Sequence, residues 1–570
     1  MRRHRRWIFL AVIVVLIIAG IVIARREPHI VPGSYLVVNI GGNYTEAPPA
    51  GLVSQLIGSS QQILTDLLLQ LRKATVDTRL QGVIVKITPM DMDFAQVQEI
   101  RGALQALKEA GKRVVAWVSG EGDSGNYEYY LASVAHRVYF TENTILPLLG
   151  LRATAIFLGG LWDNLGIDMQ VEQIKEYKTF GDLLAGKSMT EAHREMTTDL
   201  LNSLHEQLLS GIAEARGLPT TLVRAFIDAP TLTPEDFLSA GLIDGIVYFE
   251  DLIEELVPTQ EQLVSLATYH GVKPASVGLV GGHKIAVIYG VGAVSSGESD
   301  WGVTGNALGA RTIVDAFKAA AQDDNIRAIV FRIHSPGGSA LASDLIWQAV
   351  AHAKKSKPVV VSMSGVAASG GYYIASSATK IVAHPATLTG SIGVVFAMPS
   401  VQGVLDKLDI HTETLERGQY ARLFDPSKPW TPEERQQIQR LLEALYRTFT
   451  RRVATGRGLS PEEVERLGRG RVWTGTQAKD RGLVDALGGL TTALRIAKEE
   501  TGIPLEAGVR LVFYPKPKRL LETLLEHLTG QVSATMPLPP LARQLVQGLT
   551  PFSSQGEGAR LLIPMLLRIK

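Results

Sequence analysis

The chain repeats itself over most of its length, and a long repeat constrains architecture before any single motif does. The segment DSGNYEYYLASVAHRVYF, from Asp123, reads like ASGGYYIASSATKIVAH, from Ala368, with Tyr129 matched to Tyr372. Gly150 matches Gly393 and Tyr177 matches Tyr420 in that same register. ARGL ending at Leu218 then matches GRGL ending at Leu459, and GLID to Asp244 matches GLVD to Asp485, two residues out of it. Chance does not hold the order and spacing of five landmarks.

Each copy opens on an apolar strand-like run, YLVVNI from Tyr35 and KIAVIYGV from Lys284. Two further pairs follow, GVIVKI from Gly82 with AIVFRI from Ala328, and RVVAWVS from Arg113 with PVVVSMS from Pro358, with helical periodicity between them. Continuous apolar strands alternating with amphipathic helices predict α/β domains whose mostly parallel sheets are covered on both faces. The reading is two domains of one fold, over 34–265 and 280–500. A connector over about 258–282 holds Pro274 and the pair Gly281-Gly282. From about 505 the pattern is lost, and 505–570 is expected to be a Leu- and Pro-rich tail that packs on the body or touches a membrane surface.

The N-terminus speaks to location. MRRHRR precedes an apolar run from Trp7 to Ala24, and Arg25 and Arg26 follow it. The run is long enough for a short spanning helix, roughly 17–25 residues, and longer than the usual signal-peptide core. Residues 1–28 therefore predict a membrane anchor with its N-terminus cytoplasmic, because basic residues are denser before the run than after it. A cleaved signal peptide, ending near Val22-Ile23-Ala24, is the alternative. Lysine and arginine total 57 against 56 acidic residues, so no net field gathers nucleic acid. The chain has no cysteine, which removes disulfides, thiolate metal sites and cysteine nucleophiles together. No metal-ligand cluster or cofactor motif is legible; Gly290-Val291-Gly292 lacks the third glycine of a dinucleotide fingerprint.

The copies differ most informatively at two positions. Ser369 in GVAASGGYYIAS stands opposite Asn126, and Lys178 in EQIKEYKTFGD stands opposite Ala421. One copy keeps a lysine and the other keeps a serine. Ser369 follows a strand and precedes a helix, a turn that presents its Oγ beside free backbone N–H groups. An ordinary Ser-Gly-Gly turn reads the same way. A second glycine element, HSPGGSA from His334 to Ala340, has only TPMDMD at the matching place. Acyl transfer needs two N–H donors aimed at a developing oxyanion, and Gly338 with Gly370 could supply one each. The base candidates are Lys178, whose bland alternative is a solvated surface charge, and His334 or His384, each at a strand end.

SPGGS, ASGGYY and LTGSIGV, with an upstream YK and a downstream GLVDALGG, together resemble the signal peptide peptidase A family, also called protease IV, in its long duplicated form. The resemblance spans roughly 30–500 and departs from the family pattern at His334. It implies two tandem ClpP/crotonase-like domains and a Ser–Lys dyad, with Ser369 as nucleophile and Lys178 as base. It further implies that Ser391 orients the lysine and that Gly338 and Gly370 form the oxyanion hole. Homo-oligomers, tetramers by the resemblance, would enclose the sites, and the substrates would be remnant signal peptides at a bacterial inner membrane. A lysine base must be neutral, so burial without a carboxylate partner is required to depress its pKa. Two rivals stay open: a crotonase-like enzyme acting on acyl-CoA, against which an export signal argues, and a non-catalytic membrane scaffold of the same fold.

Overall fold

A computed structural model describes residues 27–48, 62–229, 232–279, 281–302, 305–516, 560–562 and 567–569. The expected anchor over Trp7–Ala24 lies outside the described residues. Among the described residues no helix is long and apolar enough to cross a membrane.

One sheet carries each half, and six parallel strands in each coincide in order; the second sheet also holds Leu388–Gly390, parallel to Val359–Ala368, and Val472–Thr474, antiparallel to Leu388–Gly390. In the first half the order is Leu263–Ser265, Ser34–Gly42, Leu80–Met90, Arg113–Val118, Arg137–Phe140, Gly245–Ile246, every neighbour pair parallel. In the second half Val509–Tyr514, His283–Val291, Ile326–Ser335, Val359–Ala368, Lys380–Ala383 and Ala486–Leu487 repeat that order, again all parallel. The α/β reading and the duplication thus hold at the level of hydrogen-bond ladders. Runs such as Val83-Ile84-Val85 and Ile329-Val330-Phe331 are wholly buried because helices cover both faces.

The matched landmarks recur because they do the same work twice. Tyr129 and Tyr372 donate their phenols to the carbonyls of Leu242 and Leu483. Asp244 and Asp485 accept from the N–H groups of Val138 and Ile381 and pair with Arg216 and Arg457. A long helix in each half, Glu191–Arg216 and Pro432–Arg457, starts on a threonine cap, Thr190 or Thr431, and stops at a left-handed glycine, Gly217 (φ 64°) or Gly458 (φ 65°).

Each sheet ends on a short edge strand that lies late in its half. Leu263–Ser265 is an edge strand of the first sheet, at the end of the stretch 34–265 read as the first domain. Val509–Tyr514 is an edge strand of the second sheet, so that sheet extends beyond 500 and takes in part of the expected tail. VRLVFY alternates apolar residues weakly, and the pairing that makes it a strand is with a segment far upstream.

The halves are joined by a buried charge cluster and by a third sheet. Arg332, wholly buried in the second sheet, donates to Glu46 (2.9 Å), to both oxygens of Glu99 (3.2 and 2.6 Å) and to Ser362 Oγ (2.9 Å). Burial opposes ionisation of Glu46 and Glu99, yet the guanidinium beside them holds both carboxyls below their usual range. The third sheet is mixed, in the order Asp300–Gly302, Gly305–Gly309, Ala293–Ser295, Gly337–Ser339, Arg560–Leu562, Val395–Ser400, Asp168–Gln173. Its last pair, Val395–Ser400 antiparallel to Asp168–Gln173, brings the Lys178 excursion of the first half onto the second.

Candidate active site

Ser369 follows the Val359–Ala368 strand and caps the Gly370–Ala375 helix with φ 55° and ψ −116°. A non-glycine residue held there stores strain, the kind that concentrates at functional positions. Its N–H donates to Gly390 O (2.8 Å), which helps to fix the turn. The glycines after it are required by close approach. A Cβ on Gly371 would lie 2.6 Å from Ser335 O, and one on Gly370 would lie 2.7 Å from Ser343 Oγ and 3.0 Å from Gly338 N. Gly338 itself has φ +155°, with no room for a Cβ against the Val294 backbone. The Gly370 and Gly338 backbones are therefore neighbours beside Ser369, and the first N–H groups of a helix have no intrahelical acceptor.

Lys178 enters from the first half. Its Nζ lies 2.7 Å from Ser369 Oγ, 3.0 Å from Ser391 Oγ and 3.1 Å from Ser391 O. Ser369 and Ser391 are 0% exposed and Lys178 is 1% exposed. Burial alone pushes the lysine pKa well below its usual value. A neutral amine has two N–H donors and one lone pair. Ser391 O and Oγ can take both donors, which leaves the lone pair directed at the Ser369 hydroxyl. Ser391 also has positive φ, 53°, and its N–H donates to Arg471 O (2.7 Å).

The other base candidates face different groups. His384 packs against Glu99 (Nε2–Oε2 3.7 Å) and His334 faces Asp93 (3.8 Å). Asn126, the counterpart of Ser369, is spent on its own loop: Oδ1 accepts from Leu149 N and Gly150 N (both 3.1 Å), and Nδ2 donates to Gly150 O (2.7 Å). Ala421, the counterpart of Lys178, is exposed. A cavity of about 950 Å³ opens between the halves, bordered by Asn126, Asp93, Glu128 and His334, and does not include Lys178 or Ser369.

Two residues that position Lys178 escaped the sequence reading. Gly470 (φ +86°) lies so close that a Cβ there would sit 2.4 Å from Lys178 N and 2.6 Å from its Cα. A Cβ on Gly393 would sit 3.1 Å from Lys178 Cδ. In the sequence Gly393 stands out only as a repeat landmark and as part of LTGSIGV, and nothing singles out Gly470. Among the described residues no group of three or more His, Asp or Glu side chains could hold a metal.

The description Peptidase family S49 matches residues 106–263 and 351–504, one segment in each half. The chain belongs to peptidase family S49. It is 36% identical over 469 residues to a chloroplastic serine protease SPPA of Arabidopsis thaliana, covering 81% of this chain and 69% of that one. It is 30% identical over 530 residues to protease 4 of Salmonella typhi, covering 88% and 83%. A protein of Enterococcus faecium named putative signal peptide peptidase SppA is 34% identical over 184 residues, 32% of this chain and 54% of its own. The two S49 segments cover Ser369, Gly370, Ser391 and Lys178, while Gly338 precedes the second segment.

Proposed function

We propose that this chain is a membrane-anchored serine endopeptidase in which Ser369 is the nucleophile and Lys178 the general base. The observation that carries the reading is the 2.7 Å approach of a fully buried lysine amine, with no carboxylate paired to it among the described residues, to a strained serine hydroxyl. Ser369 Oγ attacks the scissile carbonyl while its proton passes to Lys178 Nζ. The N–H groups of Gly338 and Gly370 stabilise the oxyanion. The tetrahedral adduct collapses as Lys178 returns the proton to the departing amine, leaving Ser369 acylated. Water, deprotonated by the same lysine, then attacks the ester and releases the acid product with free Ser369. Ser391 holds two amine protons, so that the lone pair stays on the Ser369 side.

The substrates are cleaved signal peptides and similar apolar peptides, a reading supported by the names of the relatives. The bilayer is reached through residues 7–24, with the N-terminus cytoplasmic and both domains on the outer face of a bacterial inner membrane. The domains, of the ClpP/crotonase type, assemble as a homo-oligomer, a tetramer by the family resemblance. A fluorophosphonate should label the protein at Ser369. Labelling should vanish in Ser369→Ala and Lys178→Ala while both variants stay folded; a scaffold without an activated serine takes up no label at all. Protease added outside spheroplasts should degrade the domains, and full protection reverses the assigned topology.

A further inference from the structure

Lys178 belongs to no strand or helix. It lies in the loop 174–179 between the Asp168–Gln173 strand and the Phe180–Ala185 helix, where its N–H makes a long bond to Lys175 O (3.4 Å). That loop has a reason to leave. A lysine buried without a carboxylate recovers its hydration, and a proton, by swinging into water, so other contacts must hold it in.

The holding segment is Arg469-Gly470-Arg471 of the second half, whose backbone serves both sides of the lysine. Arg469 O accepts from Tyr177 N (3.1 Å), Gly470 N donates to Ile392 O (2.8 Å), and Arg471 O accepts from Ser391 N (2.7 Å). Both arginine side chains then cross to the first half. Arg469 grips Glu176 with two bonds, Nε to Oε1 at 2.9 Å and Nη2 to Oε2 at 3.1 Å, the planar fork-on-carboxylate geometry. Arg471 donates to Glu195 Oε1 (2.7 Å) and to Asp199, and its guanidinium lies over the rings of Tyr177 and Trp473, 4.7 and 4.9 Å from their centroids. Tyr177 in turn donates its phenol to Glu195 Oε2 (2.9 Å). In the register that matches Leu459 with Leu218 and Asp485 with Asp244, this stretch stands opposite Asp228-Ala229-Pro230. The copy without the serine thus also lacks both arginines.

We propose that Arg469 and Arg471 are positioning residues of the dyad, a two-arginine clasp across the seam between the halves that keeps the Lys178 loop closed on Ser369. The inference rests on the peptidase reading for what the closed loop is for. An opened clasp lets Lys178 take up a proton in water, so closure and deprotonation are linked. A weaker clasp therefore raises the pH at which the dyad becomes active and leaves its alkaline plateau in place. The clasp keeps its own charge through that range. The hydrogen bond from Arg471 holds the Glu195 carboxyl below its usual range; burial opposes ionisation of Glu176, yet Arg469 holds it low as well. Of the other groups around the loop, Lys175 pairs with Glu465 (2.8 Å), and burial depresses the pKa of His193, 4.0 Å from Asp182. The amine itself has Ser369 and Ser391 as its hydrogen-bond partners among the described residues.

The test follows fluorophosphonate labelling from pH 6 to 10 in full-length Arg471→Gln, in Glu195→Gln/Asp199→Asn, and in the chain carrying all three substitutions. In the first two the rising limb should move to higher pH by about one unit, a ~10-fold loss of rate below the limb, with a plateau within about twofold of the parental one. The triple variant should shift no further, because the pairs it breaks are already broken. Arg457→Gln cuts an arginine–carboxylate pair with Asp485 inside the second half and should leave the limb where it is. A second readout needs no turnover. In Ser369→Ala protein the buried Lys178 amine should resist acetic anhydride while the exposed Lys187 reacts. Adding Arg471→Gln should speed acetylation of Lys178 at least ~10-fold relative to Lys187, as local opening becomes easier. A uniform loss of rate with an unmoved limb, or an equal shift in Arg457→Gln, overturns the proposal, and so does unchanged protection of Lys178. Failure of the peptidase reading registers separately, as absence of labelling in the unsubstituted protein.

Discussion

Gly470→Ala is the perturbation that most sharply separates positioning of the lysine from mere stability. Gly470 sits at φ +86°, so any side chain there carries a left-handed backbone penalty of about 1–2 kcal/mol. The alanine Cβ would also lie 2.4 Å from Lys178 N, 2.6 Å from its Cα and 2.7 Å from its Cβ. Ordinary contact begins near 3.4 Å, so the Lys178 backbone must retreat by about an ångström, and the contact it holds with Ser369 is only 2.7 Å. A misplacement of that size costs on the order of 100-fold in rate, about 2.7 kcal/mol of barrier. Gly458→Ala is the matched control. It has nearly the same left-handed conformation, φ +65°, with nothing within 4 Å of the new Cβ, and so carries the backbone penalty alone. Steady-state peptide hydrolysis and thermal melting of both variants give the answer. Gly470→Ala should lose about 100-fold in kcat and Gly458→Ala almost none, with both modestly destabilised. Near-normal turnover in Gly470→Ala, or an equal loss in the control, refutes the argument that this glycine fixes the lysine.

Three further outcomes follow from buried groups. Arg332→Met should destabilise the chain by about 3–5 kcal/mol in denaturant unfolding, since it leaves Glu46 and Glu99 buried without their cation. Asn126→Ala should cost about 2 kcal/mol by the same assay while leaving turnover intact, because the N–H groups of Leu149 and Gly150 lose their acceptor far from Ser369 in sequence and function. Lys178→Met should be inactive yet more stable than the parent. The native state holds this lysine with a depressed pKa, so the unfolded chain binds the extra proton and parental stability rises with pH. The stability gap should therefore narrow as pH climbs toward the ordinary lysine range, about 10.4.

The duplication made most of the fold legible from sequence. Tyr129 with Tyr372 and Asp244 with Asp485 recur because each anchors the same carbonyl or N–H in its own half. The dyad pair stood out for the opposite reason, as Ser369 and Lys178 are where the copies differ. What stayed hidden depends on contacts between distant segments. Gly470 and Gly393 look like any turn glycines until Lys178 is packed against them. Arg332 reads as a charge in a strand, since its partners Glu46 and Glu99 lie more than two hundred residues upstream. VRLVFY from Val509 and the residues at 560–562 become strands only by adding to edges built elsewhere in the chain.

The proton-acceptor role of Lys178 is the centre of the account, and the pH dependence of acylation measures it most directly. Single-turnover labelling of Ser369 by a fluorophosphonate, followed from pH 5 to 10, should climb through a pKa below the ordinary lysine value and then level off. The direction follows from burial, which favours the neutral amine. Lys178→Arg keeps the charge but cannot release a proton in this range, so it should show no measurable labelling at any pH. Substantial labelling of Lys178→Arg, or a rising limb that survives in that variant, contradicts the dyad.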